Sequence, residues 1–224
     1  MGSSRLPGKS LLMISGKPVI EHLYDSISGL RFIEKIIVAT STGKENDAIR
    51  NWSKTKNIEC YSGSETNVAE RFYYILKKET CDYFIRLSAD SPLFDNHVIQ
   101  KISQMLNNTD SDIITTVSNK PYPSGLNMEF IRKKSFLENY PNFSASEDFE
   151  HVTNYFYRNR NRFKIQELHS SIKNPEKYKF SLDSDLDKAI ISRIFSLMKK
   201  PHYLYTLSEK IKFYERALKS KINA

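Results

Sequence analysis

Glycine is scarce in this chain, with seven in 224 residues. That argues against low-complexity or repeat architecture, and the sequence shows no internal period. Cysteine is scarcer still. Cys60 and Cys81 make no disulfide framework and lack the spacing of metal ligands. No apolar run approaches the ~20 residues of a membrane span. Residues 1–10 are polar, without the apolar stretch of a secretory signal. The expectation is a cytoplasmic chain with no membrane partner. No nucleic-acid-binding motif accompanies the formal charge of +8, so nucleic acid is set aside and small anionic substrates remain compatible with the charge. Lys199, Lys200, Lys210, Lys212, Lys219 and Lys221 are spaced as a solvated helical face.

What the chain does contain is enough apolar residue for a core, 39% of the total. The length suits one α/β domain. Apolar runs at 35–40, 58–61, 82–88 and 112–117 read as strands, the first of them as one buried on both faces of a sheet. Stripes at helical spacing lie between them: Val19, Ile20, Leu23, Tyr24 and Ile27; Ile49 and Trp52; Val68, Phe72, Ile75 and Leu76; Val98, Ile99, Ile102 and Leu106. Strands alternating with helices predict βαβ units and a mostly parallel sheet. Beyond residue 120 the pattern loosens. Residues 127–132, 163–168 and 179–182 read as strands. Residues 147–159 read as one aromatic helix, and 185–197 and 208–218 as closing helices.

The most informative stretch is Asp82-Tyr-Phe-Ile-Arg-Leu-Ser-Ala-Asp90-Ser-Pro, a buried strand that runs into a carboxylate and a turn. Ligands of open α/β sheets bind beyond the carboxyl ends of the strands, so Asp90 stands where chemistry is done. Asp183-Ser-Asp185-Leu-Asp187 is a second acidic cluster after a short apolar run. Two such strand ends suggest a shared Mg2+ on Asp90 and Asp183, because a hard cation takes oxygen ligands and accompanies nucleotide phosphates. The plainer reading is that Asp or Ser at such junctions caps a helix or starts a turn. Gly2-Ser3-Ser4-Arg5-Leu-Pro-Gly8-Lys9 gathers small residues and two cations, suited to close approach of phosphates. Its Gly-to-Gly spacing is one residue too long for a Walker A loop. His22, His97, His169 and His202 have no catalytic company and are expected to face solvent.

Several of these pieces, in order, carry a resemblance. They are Met1 to Lys9, Gly63-Ser-Glu-Thr-Asn-Val68-Ala-Glu-Arg71-Phe72, and Arg86-Leu-Ser88-Ala-Asp90-Ser-Pro-Leu. Tyr122-Pro-Ser-Gly125-Leu-Asn-Met-Glu129, Glu150-His151-Val-Thr153 and Asp183-Ser-Asp-Leu-Asp187 follow. Together they resemble the SpsF-like branch of the cytidylyltransferases, relatives of the CMP-sialic acid and CMP-Kdo synthetases. The match covers roughly residues 1–190. Ala89 stands where the family usually has Gly, and Asp185-Leu186 where it has Pro-Glu. The family's first strand precedes the position of Met1, so the reading expects the true start upstream and Met1 to be an internal residue of the motif.

The resemblance implies a Rossmann-like, three-layer α/β/α nucleotide-diphospho-sugar transferase fold with its first strand missing. It divides the domain into a nucleotide-binding half (1–118), a sugar-binding and dimerisation region (119–182), and the metal aspartate with the closing helices (183–224). The implied reaction is CTP plus an acidic nonulosonate-type sugar giving CMP-sugar and diphosphate, by an Mg2+-dependent homodimer in surface-glycan synthesis. Arg5, Lys9, Asp90 and Asp183 would be catalytic. Gly2, Ser3, Ser4, Arg5, Gly8, Lys9, Arg71, Arg86 and Ser88 would contact the nucleotide, and Glu129 and His151 would shape the sugar pocket. Asp187 is read either as a partner of the metal site or as an acid of its helix's first turn. The rival readings are another NTP, a glycosyltransferase of the same fold, or a non-catalytic nucleotide-sugar-binding subunit.

Overall fold

The computed structural model describes residues 6, 8–119 and 121–219. A 3-10 turn at Lys9–Leu11 leads into a hairpin of β1 (Met13–Ile14) and β2 (Lys17–Pro18), then α1 (Val19–Ile27). Next come β3 (Ile37–Ser41), α2 (Asp47–Thr55), β4 (Glu59–Gly63), α3 (Val68–Leu76), β5 (Tyr83–Arg86), α4 (Asn96–Leu106) and β6 (Ile113–Thr115). β7 (Glu129–Arg132), α5 (Lys133–Asn139), α6 (Ser146–His151), α7 (Asn154–Arg158), β8 (Ile165–Glu167), α8 (Asp185–Leu197) and α9 (Leu207–Lys219) complete it.

Side-chain caps start several helices. Asn67 Oδ1 accepts from Glu70 N at 2.8 Å before α3, Asp95 Oδ1 accepts from His97 N at 2.8 Å before α4, and Ser184 Oγ accepts from Asp187 N at 3.2 Å before α8. Each satisfies an amide that the first helical turn leaves without a partner.

The strands form a four-stranded sheet in the order β5-β7-β6-β8 and a separate parallel pair, β3-β4. In the larger sheet β7 alone is reversed; β6 and β8 are parallel. Alternation along the strands sends their side chains to two cores. Ile114 and Phe130 face α1, α4, α8 and α9, through Val19, Leu23, Ile99, Ile191 and Tyr214. Ile113 and Ile131 face α3 and α5–α7, through Leu76, Phe136, Tyr155 and Phe156. These are the three expected layers.

Among the described residues β3 is paired only by β4, and β5 only by β7. Between their free edges lies a largely apolar cleft of about 1310 Å³, whose walls include Leu23, Val38, Ala39, Phe72, Ile85 and Leu87. This explains a departure from the sequence reading. Ile37, Val38 and Ala39 were expected to be buried on both faces, and they are only half-buried.

Other expectations are corrected. The aromatic stretch 147–159 is two short helices rather than one, broken at Val152, whose φ is 64°. There Thr153 Oγ1 donates toward Glu129 Oε2 and lies 3.1 Å from it. A side-chain bond of this kind competes with helix continuation. Residues 179–182 form no regular strand, with only a single parallel bridge, from Lys179 to Ser124. Their amides go to loops, Phe180 N to Ser124 O at 2.7 Å and Leu182 N to Asp90 O at 2.9 Å.

Lys210 is not on a solvated face. It is fully buried, and its ammonium donates to Phe94 O at 2.6 Å; burial lowers its pKa to about 8, against the nearby charges of Asp95 and Glu209. His22 and His202 are also buried, stacked edge to face, with His202 Nε2 2.9 Å from the carbonyl of His22. His97 and His169 are exposed as expected.

Candidate active site

The site forms where three loops meet beyond the ends of β3 and β5. The first is the 3-10 turn, whose preceding residue Gly8 has φ of 69°, a left-handed conformation that glycine adopts without strain. This turn presents Lys9. The second loop follows β5 and carries Ala89 and Asp90. The third is the 179–183 segment. The bond from Leu182 N to Asp90 O ties the second and third loops together, so Asp183 is delivered beside Asp90 although the two are far apart in sequence.

Lys9 Nζ contacts Asp90 Oδ2 and lies 2.9 Å from Asp183 Oδ1. The three side chains are 19%, 16% and 21% exposed, respectively. Burial works against the Lys9 charge, but the two carboxylates outweigh it and raise its pKa. Burial likewise works against the Asp183 carboxylate. Lys9 and Lys179 outweigh it and lower its pKa to about 2. The outer oxygens of the pair are held from behind. Asp183 Oδ2 lies 3.0 Å from Lys179 Nζ, and Ser91 Oγ lies 3.2 Å from Asp90 Oδ1. Lys179 also binds Asp187 Oδ2 at 2.7 Å, which in turn accepts from Asp183 N at 3.0 Å. Asp187 lies in the first turn of α8, where Ser184 caps its amide.

Lys179 was missed by the sequence reading. Its signal was weak, a lysine four residues before one aspartate and eight before another in a stretch read as a strand. The inner oxygens, Asp90 Oδ2 and Asp183 Oδ1, converge on a single cation, the Lys9 ammonium. Two carboxylates so placed form an oxygen donor set that fits a small hard cation such as Mg2+, with water or phosphate completing its shell. Among the described residues no cluster of three or more His, Cys, Asp or Glu forms a metal cage.

A cavity of about 290 Å³ is lined by residues including Thr40, Ser41, Glu65, Arg71 and the chain neighbours of Lys9 and Asp90, Ser10 and Ala89. It is much smaller than the cleft between the sheets, but it sits at the strand ends where the charged groups are. Arg71 reaches it from α3. Its guanidinium donates to Ser64 O at 2.7 Å and Glu65 O at 3.0 Å, which fixes the loop after β4.

Arg86 ends β5 in a polar row that crosses the sheet. Arg86 pairs with Glu129, Glu129 with Thr115, and Thr115 with Glu167. Glu129 is buried. It accepts from Tyr157 Oη at 2.6 Å and Thr153 Oγ1 at 3.1 Å, with Arg86 at 3.6 Å. Burial and the Glu129 charge push the Tyr157 hydroxyl pKa far upward. Tyr157 also went unrecognised, because an aromatic stripe reads as core. His151 is exposed and its side chain is not part of this cluster; only its carbonyl is, 3.1 Å from Thr153 Oγ1. Ser88 is exposed near the start of the loop that follows β5. Gly2, Ser3, Ser4 and Arg5 lie outside the described residues.

With this geometry in view, comparison with known proteins is decisive on one point. A family model described as cytidylyltransferase matches residues 1–220. The chain belongs to the cytidylyltransferase family. This is an enzyme family of the nucleotidyltransferase type, as the resemblance implied. An uncharacterized protein of Methanocaldococcus jannaschii is 31% identical over 164 residues, 73% of this chain and 66% of that protein. The chain thus spans just under two thirds of that relative's length. The spore coat polysaccharide biosynthesis protein SpsF of Bacillus subtilis is 25% identical over 206 residues, 87% of this chain and 82% of SpsF. Among solved structures, a cytidylyltransferase from Leptospira borgpetersenii serovar Hardjo-bovis superposes with a TM-score of 0.89. It covers 98% of this chain and 92% of its own, at 21% identity, a likeness of fold. No described helix of this chain is long and apolar enough to cross a membrane.

Proposed function

We propose that this chain transfers the cytidylyl group of CTP to a hydroxyl of an acidic, ulosonate-type sugar, within surface-polysaccharide synthesis. The sugar oxygen attacks the α-phosphorus in line. A new P–O bond forms, the bond to the β-phosphate oxygen breaks, the hydroxyl proton leaves to solvent, and diphosphate departs. Such transfers depend on positioning and charge neutralisation more than on covalent help from the protein. The observation that carries this reading is the convergence of Asp90 and Asp183 on one cation position at the strand ends. Membership of the family, the likeness to SpsF and the net charge of +8 support it.

Asp90 and Asp183 would hold Mg2+, which when bound supplies Lewis-acid neutralisation of the α-phosphate and lowers the pKa of the attacking hydroxyl. Lys179 and Asp187 keep Asp183 oriented for that task. Lys9, with Arg5, Gly8 and the small residues of their loop, would hold the leaving β- and γ-phosphates. Arg71, Arg86 and Ser88 would line the nucleotide side, and Glu129, the cross-strand partner of Arg86, would border the sugar side.

The test is diphosphate release from CTP and Mg2+ across a panel of ulosonate and neutral sugars. CTP-specific release that needs an acidic sugar is the expected result. Release from CTP with neutral sugars alone would overturn the sugar class, and release from another NTP in preference to CTP would overturn the nucleotide.

A further inference from the structure

We infer that Lys9 is the resident counter-cation of the Asp90–Asp183 pair and exchanges places with the divalent ion, so that metal binding frees its ammonium for the triphosphate. The inference rests on the metal site proposed above and concerns what occupies that site when no metal is bound. Three observations carry it.

The Lys9 ammonium meets the inner oxygen of each aspartate, Asp90 Oδ2 and Asp183 Oδ1, and these are the atoms a metal would need. Magnesium binds oxygen at ~2.0–2.1 Å and tolerates little distortion, so an ammonium and the ion cannot share the position. The outer oxygen of Asp183 is held separately, by Lys179 at 3.0 Å and Ser181 Oγ at 3.3 Å. The pair therefore keeps its shape when Lys9 leaves.

Lys9 itself belongs to a short turn anchored through its backbone, with Lys9 N to Leu6 O at 3.3 Å and Leu11 N to Gly8 O at 2.9 Å. Its four-carbon stem can swing without moving that turn. A lone pair of part-buried carboxylates would repel each other, and Lys9 removes that repulsion. The same contact makes the site a poor binder of free metal. Nucleotide changes the balance by offering Lys9 a second anion. CTP and the divalent ion then bind cooperatively through one side chain, and each tightens the other by the same factor.

The experiment is a Mn2+ titration followed by electron paramagnetic resonance, without nucleotide, on the wild type, Lys9→Met and Lys9→Arg. Lys9→Met should bind Mn2+ at least about tenfold tighter than wild type, since it removes a competing charge at contact distance. Lys9→Arg, which keeps the charge, should stay near wild type. CTP should tighten Mn2+ on the wild type and lose that effect in Lys9→Met.

If Lys9→Met binds Mn2+ no more tightly while the wild type binds it measurably, the exchange is overturned and the metal site stands. If no protein binds Mn2+ with or without CTP, the metal site itself fails, and the exchange with it. Should Lys9→Met lack a cooperative melt, the side-chain NMR signal of Lys9, assigned from its loss in Lys9→Arg, gives the answer on wild type. A shift on Mg2+ saturation supports the exchange, and an unmoved signal overturns it.

Discussion

Asp183 stands between two lysines of the site. One of its oxygens faces Lys9 and the other faces Lys179. Asp183→Asn is expected to lower turnover by at least about a hundredfold while leaving a cooperative melt, and steady-state diphosphate release measures it. Lys179→Met acts one step back. It frees Asp183 and Asp187 to rotate, and loss of such a supporting partner costs about 10–100-fold in metal affinity. The same Mn2+ titration reports this, with the sign opposite to that for Lys9→Met. That contrast separates a lysine that supports the metal position from one that occupies it.

The residue scale is also where the sequence was most and least legible. Asp90 and Asp183 could be picked out because each follows an apolar run and fits a motif. Lys179 could not, because its role arises only when Leu182 N reaches Asp90 O and folds the segment back on itself. His22, His202 and Lys210 were misread as exposed, since single polar residues carry no sign of their own burial.

At the scale of elements, the segment that delivers Asp183 depends on Gly125. This glycine has φ of 87°, and a Cβ there would lie 2.5 Å from Ser181 N and 2.6 Å from Phe180 C. Backbone atoms cannot yield as a side-chain tip can. Gly125→Ala is expected to destabilise the chain by more than about 1 kcal/mol and to displace residues 180–183. Chemical denaturation gives the first effect, and weakened Mn2+ binding gives the second. Wild-type stability with unchanged Mn2+ affinity would show that the close approach is unimportant.

The helices and strands up to residue 117 were readable because stripes at helical spacing alternate with apolar runs. Beyond that, local pattern gave way to tertiary contacts. Thr153 turns toward Glu129 and splits an aromatic helix, and Phe180 and Leu182 give their amides to loops rather than to a strand.

The whole molecule carries two further consequences. His22 and His202 are buried, and burial lowers both pKa values, that of His202 to about 3. An unfolded histidine takes up a proton near pH 6.5, so below that pH the unfolded state binds more protons than the folded one. Stability is therefore complete above about pH 6.5 and falls as the pH drops toward 3, by up to about 1.4 kcal/mol per pH unit per histidine. Denaturant midpoints at pH 7.5 and 5.5 should differ accordingly, and His202→Gln should reduce the difference.

The second consequence concerns the cleft between β3 and β5. An apolar strand of about five residues joined ahead of Met1 is expected to seat there, pair with both free edges and raise the melting temperature by more than about 5 °C. An unchanged melt would show that the cleft does not take a strand.

The central claim, a metal-assisted site built for CTP, is tested most directly by the thermal melt of this 224-residue chain with Mg2+, alone and with CTP, UTP, ATP or GTP. The account predicts a cooperative melt raised by CTP well above the other three, and raised less when Mg2+ is withheld. A cooperative melt that no nucleotide moves, or that all four move alike, would contradict it.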